Sequence, residues 1–94
     1  MRCRFVSAAE EEFTDAAVFY ETEAGLGEEF VAAVIGGIDR LLEMPLLGNL
    51  IAARVRSIPL GRFPFNLVYK VDDDEIVIVA VAQSRLPTYW HHRL

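Results

Sequence analysis

Two adjacent histidines near the C-terminus, His91 and His92, are the side chains of this sequence best suited to proton transfer. Histidine can give or accept a proton under physiological conditions, because its ordinary pKa lies close to neutrality. The pair is poorly suited to metal binding, since neighbouring histidines rarely share a metal ion and no cysteine or carboxylate lies near them in the sequence. The sequence therefore predicts no metal site and no cofactor.

The charged residues divide unevenly along the chain. The sequence holds 14 acidic and 9 basic residues, for a formal net charge of −5. Residues 1–50 contain ten of the acids and three of the bases, whereas the acids of residues 51–94 all fall in the run at 72–75. This pattern predicts one acidic and one basic face. The net negative charge argues against a general nucleic-acid coat protein, because phosphate binding depends on lysine and arginine.

The length of 94 residues predicts a single domain spanning residues 1–94. The longest stretch without a charged residue, at 44–53, is about half of what a membrane span needs, and the N-terminus has no apolar segment typical of a secretory signal. A lone cysteine, Cys3, cannot form an internal disulfide. We expect a cytoplasmic protein without membrane association.

The N-terminal half predicts a strand followed by two helices. Residues 2–6 are typical of a short strand, and Ser7 and Glu10 have the spacing of a capping box, which places a helix from about residue 8 to about residue 24. The Gly-Leu-Gly sequence at 25–27 interrupts this helix. Apolar residues then recur every three or four positions from Phe30 until Pro45. We expect an antiparallel helical hairpin.

The C-terminal half changes to the alternation of strands. A first strand is expected around residues 55–58, a turn at the Pro-Leu-Gly of 59–61, and further strands at 63–71 and 75–82 around an Asp-rich turn. Pro87 has the character of a first helical residue for a short C-terminal segment. The predicted fold is α+β, in the order β-α-α-β-β-β plus that segment, with the hairpin packed on a small, mainly antiparallel sheet.

Three parts of the sequence together resemble a known family. They are Leu-Gly-Arg-Phe-Pro-Phe-Asn-Leu-Val-Tyr-Lys-Val at 60–71, the apolar strand at 76–82, and Arg-Leu-Pro-Thr-Tyr-Trp at 85–90. With the order of elements, they are similar to the RelE/ParE superfamily of toxins from bacterial type II (plasmid stabilisation) toxin–antitoxin systems. RelE-like members are ribosome-dependent endoribonucleases that cleave mRNA, and ParE-like members poison DNA gyrase. Both kinds are neutralised by a cognate antitoxin.

The resemblance implies candidate catalytic residues for the RelE-like activity. Arg85 matches an arginine that contacts the scissile phosphate in RelE-like enzymes, and Arg62 and Arg56 would join it on the same sheet face. Some ribonuclease relatives place a catalytic histidine or tyrosine near the C-terminus, which makes Tyr89 and His91 candidates for acid–base catalysis. In this interpretation the protein is an enzyme that positions cations around a pentavalent phosphate.

Departures from the family pattern favour the ParE-like branch. Many members carry a histidine shortly before the basic ending and two consecutive arginines within it, whereas this chain has Gln83 and Leu86 at the corresponding places. The net charge of −5 would also repel the chain from the phosphates of a ribosome. We therefore expect gyrase inhibition, with RNA cleavage as the alternative and a non-toxic antitoxin-binding or co-repressor module as a second alternative.

The resemblance also implies a surface for the antitoxin. A disordered, acidic antitoxin tail could add a strand to an edge of the sheet or lay a helix into the groove of the helical hairpin. Such a tail would suit a basic face formed by Arg54, Arg56, Arg62 and Arg85, to which Trp90 is added. In the alternative interpretation of the C-terminus, Trp90 and Tyr89 dock onto the sheet of their own chain.

Overall fold

The chain forms two helices and five strands followed by one turn of 3₁₀ helix. A computed structural model describes residues 1–85 and 88–94. Its elements are β1 (Arg2–Phe5), α1 (Ser7–Ala24), α2 (Gly27–Glu43), β2 (Asn49–Ala52), β3 (Val55–Leu60), β4 (Phe63–Asp72), β5 (Glu75–Gln83) and the 3₁₀ helix His91–Arg93. The predicted helix at Pro87 lies outside the described residues.

The strands form one sheet in the order β1-β5-β4-β3-β2. β1 runs parallel to β5, and the other neighbouring pairs are antiparallel. The predicted α+β fold, with a helical hairpin on a mainly antiparallel sheet, is therefore confirmed. The sequence prediction lacked β2, because this strand lies in the uncharged stretch after α2, where Gly48 and Asn49 are typical of a loop.

The helical hairpin turns at Gly25. This residue has a left-handed backbone with φ of +66°, which glycine adopts without a steric penalty. The predicted capping box is wrong: α1 begins at Ser7 itself, Val6 occupies the N-cap position, and no side chain caps the helix. Because Ser7 is already the first helical residue, its hydroxyl is not in the position from which a capping side chain reaches the third helical amide.

The turn between β3 and β4 lies two residues later than the sequence predicted. Pro59 and Leu60 belong to β3, and the chain turns at Gly61 and Arg62. Pro59 is exposed in its strand, and the pairing with β4 is irregular just after it. A strand tolerates proline at such an irregular position.

Both faces of the sheet are buried around β5. The face towards the helices holds the larger core, in which Phe30 and Leu41 of the hairpin meet Leu67 and Ile78 of the sheet. The opposite face holds a smaller cluster in which Trp90 covers small residues of β4 and β5. Residues 76–82 are all buried, as the uninterrupted apolar run of β5 predicted for a central strand. No helix of the described chain is long and apolar enough to cross a membrane.

Candidate functional site

The main cavity of the described chain brings Arg85 and Tyr89 together. It has a volume of about 560 Å³ and lies between α1, the start of β4 and the end of β5. Phe19, Tyr20 and Phe65 supply aromatic walls. Phe19 is 59% exposed, so the cavity opens onto an apolar part of the surface.

The strand pairing places Arg85 at this cavity. Phe65 at the start of β4 faces Gln83 at the end of β5, and the amide of Ser84 donates a hydrogen bond of 3.0 Å to the carbonyl of Pro64. The chain therefore remains attached to β4 up to the residue before Arg85. Arg85 is exposed to solvent, and its side chain lines the cavity.

Tyr89 lines the same cavity under the influence of two charged residues. The guanidinium of Arg93 lies 5.2 Å from the centre of the Tyr89 ring, within the range of a cation–π contact. Burial raises the pKa of Tyr89, and the hydrogen bond and negative charge of Glu12 raise it further. The phenol is therefore protonated at neutral pH and cannot accept a proton there.

Glu12 of α1 is joined to Arg93 by a two-pronged ion pair. Nη1 of Arg93 donates to Oε1 of Glu12 at 2.9 Å, and Nη2 donates to Oε2 at 3.1 Å. Both side chains are largely buried: the exposed fraction is 23% for Glu12 and 13% for Arg93. Paired arginine and carboxylate groups of this kind hold each other in one orientation.

The charges around the cavity are mixed. Arg85 is the only cationic residue among the described residues that line it, and the carboxylates of Glu12 and Asp15 line it too. Because Glu12 is paired with Arg93, the negative charge that would repel a phosphate beside Arg85 comes mainly from Asp15. This arrangement suits an apolar or mixed protein contact better than it suits a polyanion.

Arg62 does not join Arg85. It lies in the turn before β4 and lines a separate depression with Arg40 of α2. Its guanidinium lies 5.2 Å from the centre of the Phe63 ring. The expected group of Arg62, Arg85, Tyr89 and His91 is thus only partly assembled in the structure.

His91 lies outside the cavity as well. Its ring meets that of Trp90 edge to face, with the ring centres 4.5 Å apart, and His91 and His92 are both exposed. Neither histidine lines the cavity that contains Arg85 and Tyr89. Among the described residues, no three metal-binding side chains gather into a potential metal site.

The residues proposed for partner binding have different surroundings. Arg54 is exposed in the turn between β2 and β3. Arg56 is partly buried, and its Nη1 donates to the carbonyl of Gly48 at 2.8 Å, so it holds the chain before β2 in place. Trp90 is 1% exposed. In this structure the indole of Trp90 packs onto the sheet of its own chain, and its contact with a partner stays a prediction.

Sequence reasoning missed Glu12 and Arg93. The two residues lie 81 positions apart, and neither belongs to a recognisable local motif. Glu12 is one of three consecutive glutamates at the start of α1 and differs from its neighbours only in being partly buried. The feature of the sequence that could have indicated this ion pair is Arg93, because it is one of only six basic residues in the C-terminal half.

The chain matches a known family along most of its length. The family model for the ParE toxin of the type II toxin–antitoxin system parDE matches residues 4–85. A solved structure described as the chromosomal ParDE TA system from P. aeruginosa is similar, with a TM-score of 0.66 and 20% sequence identity over 88% of this chain and 95% of that chain. At this identity the structural likeness shows the fold. A search of the curated proteins finds no match. Because the family model spans most of the sequence, the chain belongs to the ParE toxin family of type II toxin–antitoxin systems, within the RelE/ParE superfamily.

Proposed function

We propose that the chain is a cytoplasmic toxin that inhibits DNA gyrase and is neutralised by a cognate antitoxin. Family membership supports the toxin role. The observation that favours gyrase over RNA is the composition of the cavity, where Arg85 is the only cationic residue among the described lining residues and the carboxylate of Asp15 accompanies it. A site that cleaves RNA must concentrate positive charge around the reacting phosphate, whereas this cavity offers one arginine accompanied by a carboxylate.

The lack of groups suited to proton transfer among the described residues of the cavity gives a second reason to favour gyrase inhibition over RNA cleavage. Cleavage by a 2′-hydroxyl requires one group that accepts its proton and another that protonates the leaving oxygen. The raised pKa of Tyr89 makes this phenol a poor base and a poor acid near neutrality. No histidine is among the described residues that line the cavity. Gyrase inhibition by protein contact makes no such demand.

Two purified activities separate the targets. The chain is added to DNA gyrase in a supercoiling assay and, separately, to ribosomes translating a defined mRNA. We expect loss of supercoiling and intact mRNA. Arg85→Ala should reduce the inhibition of gyrase about tenfold, as for the loss of one charged contact of about 1.4 kcal/mol. Arg2→Ala serves as the matched control, because Arg2 is 80% exposed at the distant β1 edge and should have no effect.

The RelE-like alternative has one observation in its favour, namely that Arg85 and Tyr89 line the same cavity. Cleaved mRNA together with unimpaired supercoiling would replace the gyrase proposal with this one. In that case Arg85→Ala and Tyr89→Phe should abolish cleavage. If neither assay responds, the chain is an antitoxin-binding or co-repressor module, and its complex with the antitoxin should still bind operator DNA.

Neutralisation is supported by an apolar groove on the outer face of the helical hairpin. Val18 of α1 and Ile35 of α2 are 59% and 51% exposed and line a depression of about 470 Å³ with small residues of both helices, and Glu21 and Glu28 also line it. An amphipathic helix can place its apolar side in such a groove. We assign this groove to the apolar side of an antitoxin helix; Arg54, Arg62 and Arg85 lie outside the groove and would meet acidic residues elsewhere along the antitoxin.

Antitoxin binding is tested by co-purification with the product of the neighbouring gene. Val18→Glu and Ile35→Glu should each weaken the complex at least about tenfold, because each introduces a charge into an apolar interface. Leu46→Glu is the control, since Leu46 is 66% exposed but lies outside the groove. Equal weakening by all three variants would contradict the assignment of the groove.

A further inference from the structure

The outer edge of β5 is covered by another strand along only part of its length. β1 pairs with β5 from Glu75 to Ile78, and the amide of Val6 donates to the carbonyl of Ile78 at 3.0 Å. β5 continues to Gln83, and among residues 1–85 and 88–94 no strand borders its outer edge beyond that point. An uncovered strand edge presents backbone groups that another strand can pair with.

Side chains occupy this part of the edge. The amide of Val81 donates to Oε1 of Glu12 at 3.1 Å, and the carbonyl of Val79 accepts from Nη1 of Arg93 at 3.0 Å. Glu12 and Arg93 are also bonded to each other. This ion pair therefore supplies the hydrogen bonds that a neighbouring strand would otherwise make.

Within the described chain, residues 88–94 are joined to the rest of the protein by the hydrogen bonds of the Arg93 side chain, by the burial of Trp90 and by the contact of Tyr89 with Glu12. The backbone hydrogen bonds of His91, Arg93 and Leu94 run to carbonyls within the segment. The attachment depends on the burial of Trp90 and on the bonds of Arg93. A segment that shares few backbone bonds with its surroundings can open without unfolding of the core.

The attachment also leaves polar groups unsatisfied. Trp90 Nε1 and Arg93 Nε are buried without a hydrogen-bond partner in the described chain. A buried donor without a partner loses its bonds to water and gains none in exchange. Both donors would be hydrated if the segment opened, which lowers the free-energy difference between the closed and open arrangements.

We propose that residues 88–94 form a releasable latch on β5, whose opening exposes Trp90 and the edge at Val79 and Val81 while the hairpin and sheet stay folded. Tyr89 belongs to the latch, so opening also removes one wall of the Arg85 cavity. The latch does not depend on whether gyrase or the ribosome is the target.

The unmodified protein provides the first test. Trp90 is the only tryptophan, so quenching of its fluorescence by acrylamide reports opening of the latch. Hydrogen exchange of the Val81 amide reports release of Glu12 from the edge. We expect Val81 to exchange at least about tenfold faster than amides in the centre of β4, because local opening requires less free energy than global unfolding.

Variants of the ion pair provide the second test. Glu12→Gln and Arg93→Met should increase the quenching of Trp90 and speed the exchange of Val81 by about tenfold, with β4 amides unchanged. Arg93→Lys should give a smaller effect, since lysine keeps the charge but not the two-pronged geometry. Arg4→Met is the control, because Arg4 makes a 2.9 Å ion pair with Glu75 at the other end of β5.

Two results would overturn the latch. One is exchange of Val81 at the same rate as the centre of β4 in the unmodified protein, which would make the segment an integral part of the core. The other is an equal response to Arg4→Met, which would show a general loss of stability. If Arg93→Met fails to fold, the exchange rates of the unmodified protein still decide between the two arrangements.

Discussion

The side-chain hydroxyl of Tyr69 donates a hydrogen bond of 2.7 Å to the backbone carbonyl of Pro45. The same hydroxyl accepts a hydrogen bond of 2.9 Å from the amide of Gly48. Tyr69 lies in β4 and is fully buried, so one core side chain fixes both ends of the connection between α2 and β2. The position of the edge strand β2 therefore depends on the centre of the sheet.

Tyr69→Phe should lower the free energy of unfolding by about 1 to 3 kcal/mol, because it leaves the Pro45 carbonyl and the Gly48 amide without their buried partner. Urea unfolding followed by circular dichroism measures the change. The substitution should also speed hydrogen exchange of the β2 amides more than that of the β5 amides. A loss below about 0.5 kcal/mol would mean that water replaces the hydroxyl without penalty.

The adjacent glycines of α2 should respond oppositely to alanine. A Cβ at Gly36 would meet no atom within 4 Å, so Gly36→Ala should stabilise the helix by about 0.5 to 1 kcal/mol. A Cβ at Gly37 would lie 3.0 Å from Cδ1 of the fully buried Leu67. Gly37→Ala should therefore destabilise the protein by about 1 to 3 kcal/mol. Thermal unfolding measures the stability of both variants. A shift of the two unfolding midpoints in the same direction would contradict the packing of α2 on the sheet.

Tyr89 should titrate above the ordinary tyrosine pKa of about 10, because burial and Glu12 raise its pKa in the folded protein. Tyr89 therefore contributes its full stabilisation of the folded protein at pH values below the ordinary tyrosine pKa. This stabilisation is lost as the pH rises from there through the raised pKa of the folded state. Ultraviolet titration, with Tyr89→Phe to assign the signal, measures the pKa. Glu12→Gln should lower it, and an ordinary value in the unmodified protein would contradict the contact with Glu12.

Cys3 should react slowly with alkylating reagents. Burial raises the pKa of its thiol, and the nearby negative charge of Glu75 raises it further, so the reactive thiolate is scarce at neutral pH. The rate of alkylation by iodoacetamide should be at least several-fold below that of the urea-unfolded chain. Glu75→Gln should increase the rate in the folded protein. Equal rates for the folded and unfolded chains would show that β1 does not protect the thiol.

Local patterns predicted most of the fold. The helical periodicity from Phe30 to Pro45 gave α2, and the alternation of the aromatic strand gave β4 with its inward face. The uninterrupted apolar run of β5 predicted its central place, because only a strand covered on both faces can bury every side chain. The errors fell where local signals are weak. The sequence of β2 is typical of a loop, and Pro59 led the prediction to place the turn before β4 two residues too early.

The sequence by itself determined the order of the elements, the family resemblance and the candidate status of Arg85 and Tyr89. Only the tertiary structure decided which candidates meet. It brought Arg85 and Tyr89 to one cavity, left Arg62 in another, and placed Trp90 in the core. It also joined Glu12 to Arg93 across the edge of β5. Periodicity and capping act between residues a few positions apart, whereas contacts between distant residues depend on the pairing and packing of whole strands and helices.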